Sequence, residues 1–272
     1  MSASPAGRSP TGPGRVADED AAWRRQEGWA VRFEWGVDGL TAVAQGAGAV
    51  VVVDVLRFTS AVSVAIGRGA VVLPYVWAAG DAAAAYAARH DAQLAGRRED
   101  GHWSLSPSDL ARIPAGTRLV LPSPNGSALA FSAQNDVPDA LILAGCLRNA
   151  GAVAAIAGAQ PAPVAVVAAG ERWRGDLGPL RPAVEDLLGA GAVIRALVDG
   201  GRPETTVSPE ARAALAAFDA ARDDLRTWLT TGVSGRELLG WGWSDDIEAA
   251  AVLDAETVAP VLDGPEFRGV TP

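Results

Sequence analysis

The side chains best suited to chemistry in this 272-residue chain fall in four short segments, each following a run of apolar or β-branched residues. Asp54, Arg57, Thr59 and Ser60 follow AVVVV (49–53), and Ser123, Asn125, Gly126 and Ser127 follow RLVLP (118–122). Arg148 and Asn149 follow ALILA (140–144), and Glu171, Arg172, Arg174 and Asp176 follow PVAVVAA (163–169). Carboxylates, guanidinium groups, amides and hydroxyls gathered at one crevice suit the binding and transfer of a small anion. An unpaired carboxylate at the end of so apolar a strand is costly to bury. Asp54 is therefore expected at a mouth, where it holds a metal, accepts hydrogen bonds or caps a helix starting near Thr59. Arg57 is the nearest cation, placed either to pair with Asp54 or to hold an anionic substrate. Asn125-Gly126 readily takes positive φ and can aim successive N–H groups at one anion while Ser127 caps the next helix; a plain tight turn is the competing reading. Pro182 suits the first turn of a helix, which puts Glu185 and Asp186 near its start. There they are either a solvated pair complementing the helix dipole or, with Glu171, a Mg²⁺ site.

What the chain lacks narrows the chemistry further. Cys146 is its single cysteine, so an internal disulfide and a Cys-rich zinc site are excluded. The two histidines, His90 and His102, sit in the polar stretch ARHDAQLAGRREDGHW and read as solvated loop residues rather than catalytic ones. All 23 basic residues are arginine, which removes Schiff-base chemistry and the P-loop lysine while leaving forked donors for phosphate, carboxylate or sulfonate. A formal net charge of -9 argues against broad binding to nucleic acid or an acidic membrane. With so many carboxylates and so little imidazole or thiol, the favoured metal is a hard one with oxygen ligands, Mg²⁺ above all.

The elements that must position these groups alternate along the chain. Trp29, Val31, Phe33 and Trp35 alternate as in a half-buried strand, and Gly36 to Gly39 reads as a turn. Strands are expected at 49–55, 70–76, 118–122, 140–144 and 163–169, with Pro74 favouring an edge or bulge. Helices are expected at 59–67, after Asp81, and from near Ser127, Asn149 and Pro182, the last packing closely through Gly189 and Gly191. This alternation predicts an α/β fold: a three-layer open sheet, mostly parallel or mixed, with helices on both faces. In such sheets ligands bind beyond the carboxyl ends of the strands, where helix N-termini also point. Residues 209–228 read as one amphipathic helix, Gly240 and Gly242 break two shorter ones with Ser244 as a cap, and TVAPVL (257–262) reads as a final strand. Residues 1–28, rich in Pro, Gly, Ser and Ala, are expected to be a disordered tail ahead of one domain over 29–272. Apolar runs are too short to cross a bilayer, and the first residues lack the apolar stretch of a secretory signal, so a cytoplasmic protein is expected. Nine tryptophans and an Ala-rich surface are compatible with a homo-oligomer.

In order along residues 49–262, VVVDVLRFTSAV, SPNGSALA, CLRNAGAVA, AAGERWRGDLGPLRPAVEDLLGAGAVI and SGRELLGWGWSDDIEAAAVLD together resemble the 2-phosphosulfolactate phosphatase family. That resemblance implies an α/β, Mg²⁺-dependent acid phosphatase that hydrolyses 2-phospho-3-sulfolactate to 3-sulfolactate and phosphate, a reaction of coenzyme M biosynthesis. It marks Asp54, Arg57 and Glu171, expected to be catalytic, and Asn125, Gly126 and Asn149, expected to bind substrate, to which the reading of the 123–127 turn adds the Ser127 hydroxyl. It implies metal binding by Asp54, Glu171, Glu185 and Asp186, with Gly235, Arg236 and Asp246 as further matches. Phe58 stands where a small residue is usual in the family and Pro124 where a threonine is, so a pocket of different size is expected. Whether Asp54 attacks phosphorus or ligates metal stays open, although Leu56 occupies the position where the haloacid-dehalogenase pattern needs a second Asp. A noncatalytic binder of a small anionic metabolite, or a phosphatase for another phosphorylated hydroxy acid, would use the same crevice.

Overall fold

The computed structural model describes residues 22–76, 81–98, 101–173 and 178–272. Its strands, in chain order, are β1 (Val31–Trp35), β2 (Ala49–Val53), β3 (Val71–Val76), β4 (Gln93–Leu94), β5 (Arg118–Ser123), β6 (Leu141–Gly145), β7 (Val164–Ala168), β8 (Glu171–Arg172), β9 (Leu180–Arg181), β10 (Ala259–Asp263) and β11 (Glu266–Val270). Nine of them form one sheet in the order β1-β7-β2-β6-β10-β11-β3-β5-β4, and β8 pairs with β9 as a separate ribbon.

All five residues of β2 are buried, as expected of a central parallel strand covered on both faces. Its pleat divides them. Ala49, Val51 and Val53 join a core with helices Ala150–Gly158, Val184–Asp199 and Pro209–Ala221. Val50 and Val52 face a second core with helices Gly36–Val43, Phe58–Gly67 and Gly126–Asp136. These are the three layers that the βα alternation predicts. Gly189 and Gly191 allow the close packing expected of them: a Cβ on Gly189 would lie 2.5 Å from Val55 Cγ2, and one on Gly191 would lie 2.2 Å from the Ala214 carbonyl oxygen.

The sheet is mixed for one reason. The β10–β11 hairpin enters antiparallel to both its neighbours, separating the parallel set β1-β7-β2-β6 from the parallel set β3-β5-β4. The two sets therefore run nominally in opposite senses, yet the ends of β2 and β5 meet: the Gly126 N–H donates to Asp54 Oδ2 at 2.7 Å. At about 20–25° of twist per strand, the five steps from β2 to β5 turn the strand direction by about 100–125°.

Several expectations change in detail. Gly36 to Gly39 begins a helix, Gly36–Val43, rather than a turn, because Leu40 and Val43 bury against the sheet. Residues 209–228 are two helices, since the chain tightens into a 3₁₀ turn at Arg222–Asp224, where Asp224 caps the helix Leu225–Thr231 through the Thr227 N–H at 3.3 Å. Ser244 is the first residue of its helix, with Trp243 at the cap position. Pro74 lies on an interior strand, not an edge; the β3–β11 pairing rests on Val72 opposite Phe267, and Pro74 lies past it. Residues 1–21 of the expected tail lie outside the described residues. Residues 22–28 form turns whose buried Gln26 donates to the Phe33 carbonyl at 2.7 Å and accepts from its N–H at 3.1 Å, so packing begins before Trp29. No helix among the described residues is long and apolar enough to cross a membrane.

Candidate active site

Asp54 leaves the end of β2 buried, and two backbone donors hold it there. The Phe58 N–H donates to Oδ1 at 3.2 Å and the Gly126 N–H donates to Oδ2 at 2.7 Å. Each donor lies in the first turn of a helix, Phe58–Gly67 and Gly126–Asp136, where free N–H groups and the helix dipole favour a carboxylate. Asp54 thus caps a helix and faces the crevice at once. Gly126 must be glycine for reasons of space. A Cβ there would lie 2.4 Å from the Phe58 ring and 2.6 Å from Asp54 Oδ2. Neither Asn125 (φ −104°) nor Gly126 takes the positive φ expected of an Asn-Gly pair.

The other acids arrive from the end of β7. Gly170, at φ +65°, turns the chain into β8, and Glu171 comes to lie beside Asn125, whose Nδ2 donates to Glu171 Oε2 at 3.0 Å. Asp186, in the first turn of helix Val184–Asp199, accepts from the Val55 N–H at 2.7 Å and the Gly170 N–H at 2.8 Å, one on each oxygen. It clamps the loops after β2 and β7 together. Glu185 is buried next to it, near Ser234 and Arg181.

Crowding these carboxyl groups together raises their affinity for protons. Burial lifts Asp54 to about 6 against the opposing hydrogen bonds from Phe58 and Gly126. Burial lifts Glu171 to about 7, with added repulsion from Asp54 and Glu185 and partial relief from Arg181 and Asn125. Glu185 and Asp186 are pushed up in the same way, burial being the main cause for both. Oxygen-rich, desolvated and mutually repelling, this cluster is poised to take up positive charge.

Asp54 and Glu171 open onto a recess of about 240 Å³ with Arg57, Ser123, Pro124, Asn125, Ser234 and Trp241 around it. Arg57 supplies the cation of this lining. Its Nη1 donates to Asp246 Oδ2 at 2.8 Å, and its guanidinium lies 4.4 Å from the centre of the Trp243 ring. The ion pair of Arg57 is thus with Asp246, 189 residues away, rather than with Asp54.

The structure assigns different work to several residues expected to touch substrate or metal. The Ser127 hydroxyl is buried and donates to the Leu121 carbonyl at 3.0 Å, so it ties a helix to its strand instead of capping it. Asn149 is fully buried, accepting from the Cys146 N–H at 2.9 Å and donating to the Ala144 carbonyl at 3.1 Å, which shapes the turn after β6 away from the recess. Asn125 gives one amide hydrogen to Glu171 and Gly126 its N–H to Asp54, so this turn anchors carboxylates at the recess that Asn125 lines. Asp186 accepts one backbone hydrogen bond on each oxygen and, unlike Asp54, does not line the recess. Among the described residues no three His, Cys, Asp or Glu side chains form a ready-made metal-ligating group, so the four-carboxylate site is not preassembled. Gly235 packs one helix on the next, where a Cβ would lie 1.8 Å from the Leu229 carbonyl oxygen, and Arg236 is exposed. Phe58 is buried against Phe267 beneath Gly126 and so does not narrow the recess, whereas Pro124 lines it. His90 packs on Tyr86, and neither histidine borders the recess. Arg174 and Asp176 lie outside the described residues.

Arg181, Ser234, Glu237 and Trp241 belong to the site and were not singled out by type or spacing. Arg181 is buried and sits 3.3 Å from Ser234 Oγ and 3.8 Å from Glu237. One signal was present: Arg181 immediately precedes the proline and acidic pair that open helix Val184–Asp199.

Comparison with known proteins agrees with this architecture. The family model described as 2-phosphosulpholactate phosphatase matches residues 39–265. A protein of Parasynechococcus marenigrum named probable 2-phosphosulfolactate phosphatase is 31% identical over 227 residues, covering 80% of this chain and 90% of the relative. A Gloeobacter violaceus protein of the same name is 32% identical over 221 residues, covering 77% of this chain and 86% of the relative. The chain that places Asp54, Glu171 and Arg57 around one recess is therefore a phosphoric monoester hydrolase and belongs to the 2-phosphosulpholactate phosphatase family.

Proposed function

We propose that this chain hydrolyses 2-phospho-3-sulfolactate to 3-sulfolactate and phosphate with the help of Mg²⁺. The observation that carries the reading is that one recess gathers groups of both signs: Asp54 and Glu171 together with Arg57, which is fixed by Asp246 and Trp243. A phosphorylated acid presents charge at both ends, and a recess with both a cation-seeking wall and a cationic wall complements it.

The residues fit Mg²⁺ better than a softer metal. The available ligands are oxygens only, and Mg²⁺ is commonly held by one or two carboxylates plus substrate phosphate, so a ready-made cage is not required. Asp54 and Glu171, which face the recess, would hold the ion, with Glu185 adding negative charge behind them. When bound, Mg²⁺ supplies positive charge to the phosphoryl oxygens as the ester bond breaks.

In the reaction, water forms a new bond to phosphorus and the bond from phosphorus to the ester oxygen breaks. The released oxygen takes a proton and becomes the hydroxyl of the hydroxy acid. Phosphoryl transfer needs little covalent help, so positioning and charge dominate. Asp54 is fixed at the recess by one backbone hydrogen bond on each oxygen, which leaves each oxygen a further lone pair. Arg57 orients the acid end of the substrate, and Asn125 holds Glu171 at the mouth. The test is phosphate release from phosphosulfolactate and a panel of other phosphate esters, with and without Mg²⁺. Mg²⁺-dependent release, fastest with phosphosulfolactate, is the expected result. Binding without turnover across the panel, or release indifferent to Mg²⁺, would overturn the reading.

A further inference from the structure

Beyond the recess lies a larger chamber of about 680 Å³, and the two share Arg57, Leu105 and Pro124 as a common wall. Its other lining is supplied by Ala95 to Arg98, with Ser104, Pro122 and Trp243. None of the residues 95–98 belongs to a motif or to the end of a long strand, and chain order gives no reason to associate them with Asp54.

The structure associates them through Asp246. This carboxylate is fully buried, and its Oδ1 accepts from the hydroxyls of Ser106 and Ser108, the latter at 2.7 Å. Its Oδ2 accepts from Arg57 at 2.8 Å and lies 4.0 Å from Arg98 Nη1. Ser108 completes the frame by accepting from Arg98 Nη2 at 2.8 Å. One carboxylate thus faces two guanidinium groups, and Arg97 lines the same chamber, so positive charge is in excess at that end of the site. A guanidinium carries five donors in a planar fork suited to carboxylate or sulfonate, and Arg98 retains donors beyond those that Ser108 and Asp246 receive.

We propose that Arg98 is a specificity-determining residue that, beside Arg57, reads an anionic group of the substrate remote from the phosphate. It recognises a strong-acid anion on a short hydroxy acid, and Ser108 and Asp246 hold it at the chamber wall. This rests on the phosphatase reading for which end of the substrate lies where.

Three esters separate the possibilities: phosphosulfolactate, with two anionic groups besides the phosphate; phospholactate, with one; and para-nitrophenyl phosphate, with none in its tail. In Arg98→Ala the ratio of kcat/KM for phosphosulfolactate to that for para-nitrophenyl phosphate should fall about 10- to 100-fold, the range for losing a hydrogen bond to a charged group. Arg98→Lys should recover part of that ratio, because it keeps the charge and loses the fork. The preference for phosphosulfolactate over phospholactate should shrink in the same variants. Calorimetric titration with 3-sulfolactate, with inorganic phosphate as the control, reads the subsite without turnover. Its Kd should weaken at least about 10-fold in Arg98→Ala, and that for phosphate much less. Equal losses on all three esters, or an unchanged 3-sulfolactate Kd, would overturn the proposal. Failure of the wild-type chain to release phosphate from any ester would instead overturn the phosphatase reading, while the titration would still decide the role of Arg98.

Discussion

The two walls of the site are built by opposite strategies. On the acidic wall, side chains of one charge are brought together at strand ends and held by backbone N–H groups: Asp54 by Phe58 and Gly126, Asp186 by Val55 and Gly170. On the basic wall, Arg57 and Arg98 come from unrelated segments and are organised by one buried side chain of the opposite charge, Asp246. The acidic wall buries carboxylates whose charge a cation would offset, burial being the main cause of their raised proton affinity; the basic wall carries more guanidinium groups than its one carboxylate balances. The first should respond strongly to pH and divalent ions, the second to whichever anion occupies it.

Removing the charge of the acidic wall should have the largest effect. Asp54→Asn and Glu171→Gln are each expected to lower kcat/KM about 10²–10⁴-fold, comparable to losing a principal electrostatic contact to a transition state. Far-ultraviolet circular dichroism should stay unchanged in both. Wild-type rates in a properly folded Glu171→Gln would remove this carboxylate from the chemistry.

Gly126→Ala tests the backbone half of the same wall without touching a charge. Its new Cβ would overlap the Phe58 ring and Asp54 Oδ2, and overpacking of this kind costs about 1–3 kcal/mol. We expect a denaturation midpoint lowered accordingly and a kcat/KM reduced with it, since Asp54 must move. An Ala variant of full stability and activity would show that the close approach is dispensable. On the basic wall, Asp246→Asn should be milder in turnover, about 10- to 100-fold on phosphosulfolactate, because Arg57 keeps its stacking on Trp243 and loses only its charged partner. If the double variant Asp246→Asn, Arg98→Ala loses no more than the larger single effect, the two residues act as one unit.

The contrast between the walls also explains what could be read in advance. Asp54, Asn125 and Glu171 were legible because each follows an apolar run, and the carboxyl ends of sheet strands are where ligand sites form. The same rule over-read Asn149 and Ser127: each follows such a run, but its side chain turns inward to satisfy the backbone of its own turn. The layers were legible from βα alternation, while the β10–β11 hairpin was not, since nothing in TVAPVL indicates which strands it will separate. Arg98, Ser108 and Arg181 left almost no local signal. Their place depends on the tertiary path that brings residues 95–108 and 181 against the strand ends, and no periodicity encodes that path.

The smallest effect concerns stability, and it reads the cost of burying charge on the acidic wall. Glu171 ordinarily releases its proton near 4.5 but holds it to about 7 in the fold. Between those values the folded chain binds more protons than the unfolded one, so this group's contribution to stability declines as pH rises through the window. Glu171→Gln removes that decline. The variant should match the wild-type chain in urea denaturation at pH 4.5, and exceed it by about 1–3 kcal/mol at pH 7.5; the lower part of that range is favoured because Glu171 is partly open to solvent. Asp54 is shifted in the same direction, to about 6, so Asp54→Asn should show the same trend at a lower pH, offset by its lost backbone hydrogen bonds. Saturating Mg²⁺ should close the gap at pH 7.5 by stabilising the wild-type chain and not the variant, because a ligand that binds only the folded acidic wall adds to its stability by mass action. A gap already open at pH 4.5 would mean that it does not come from the buried charge of Glu171, and a gap that Mg²⁺ leaves unchanged would mean that the acidic wall does not take up the cation.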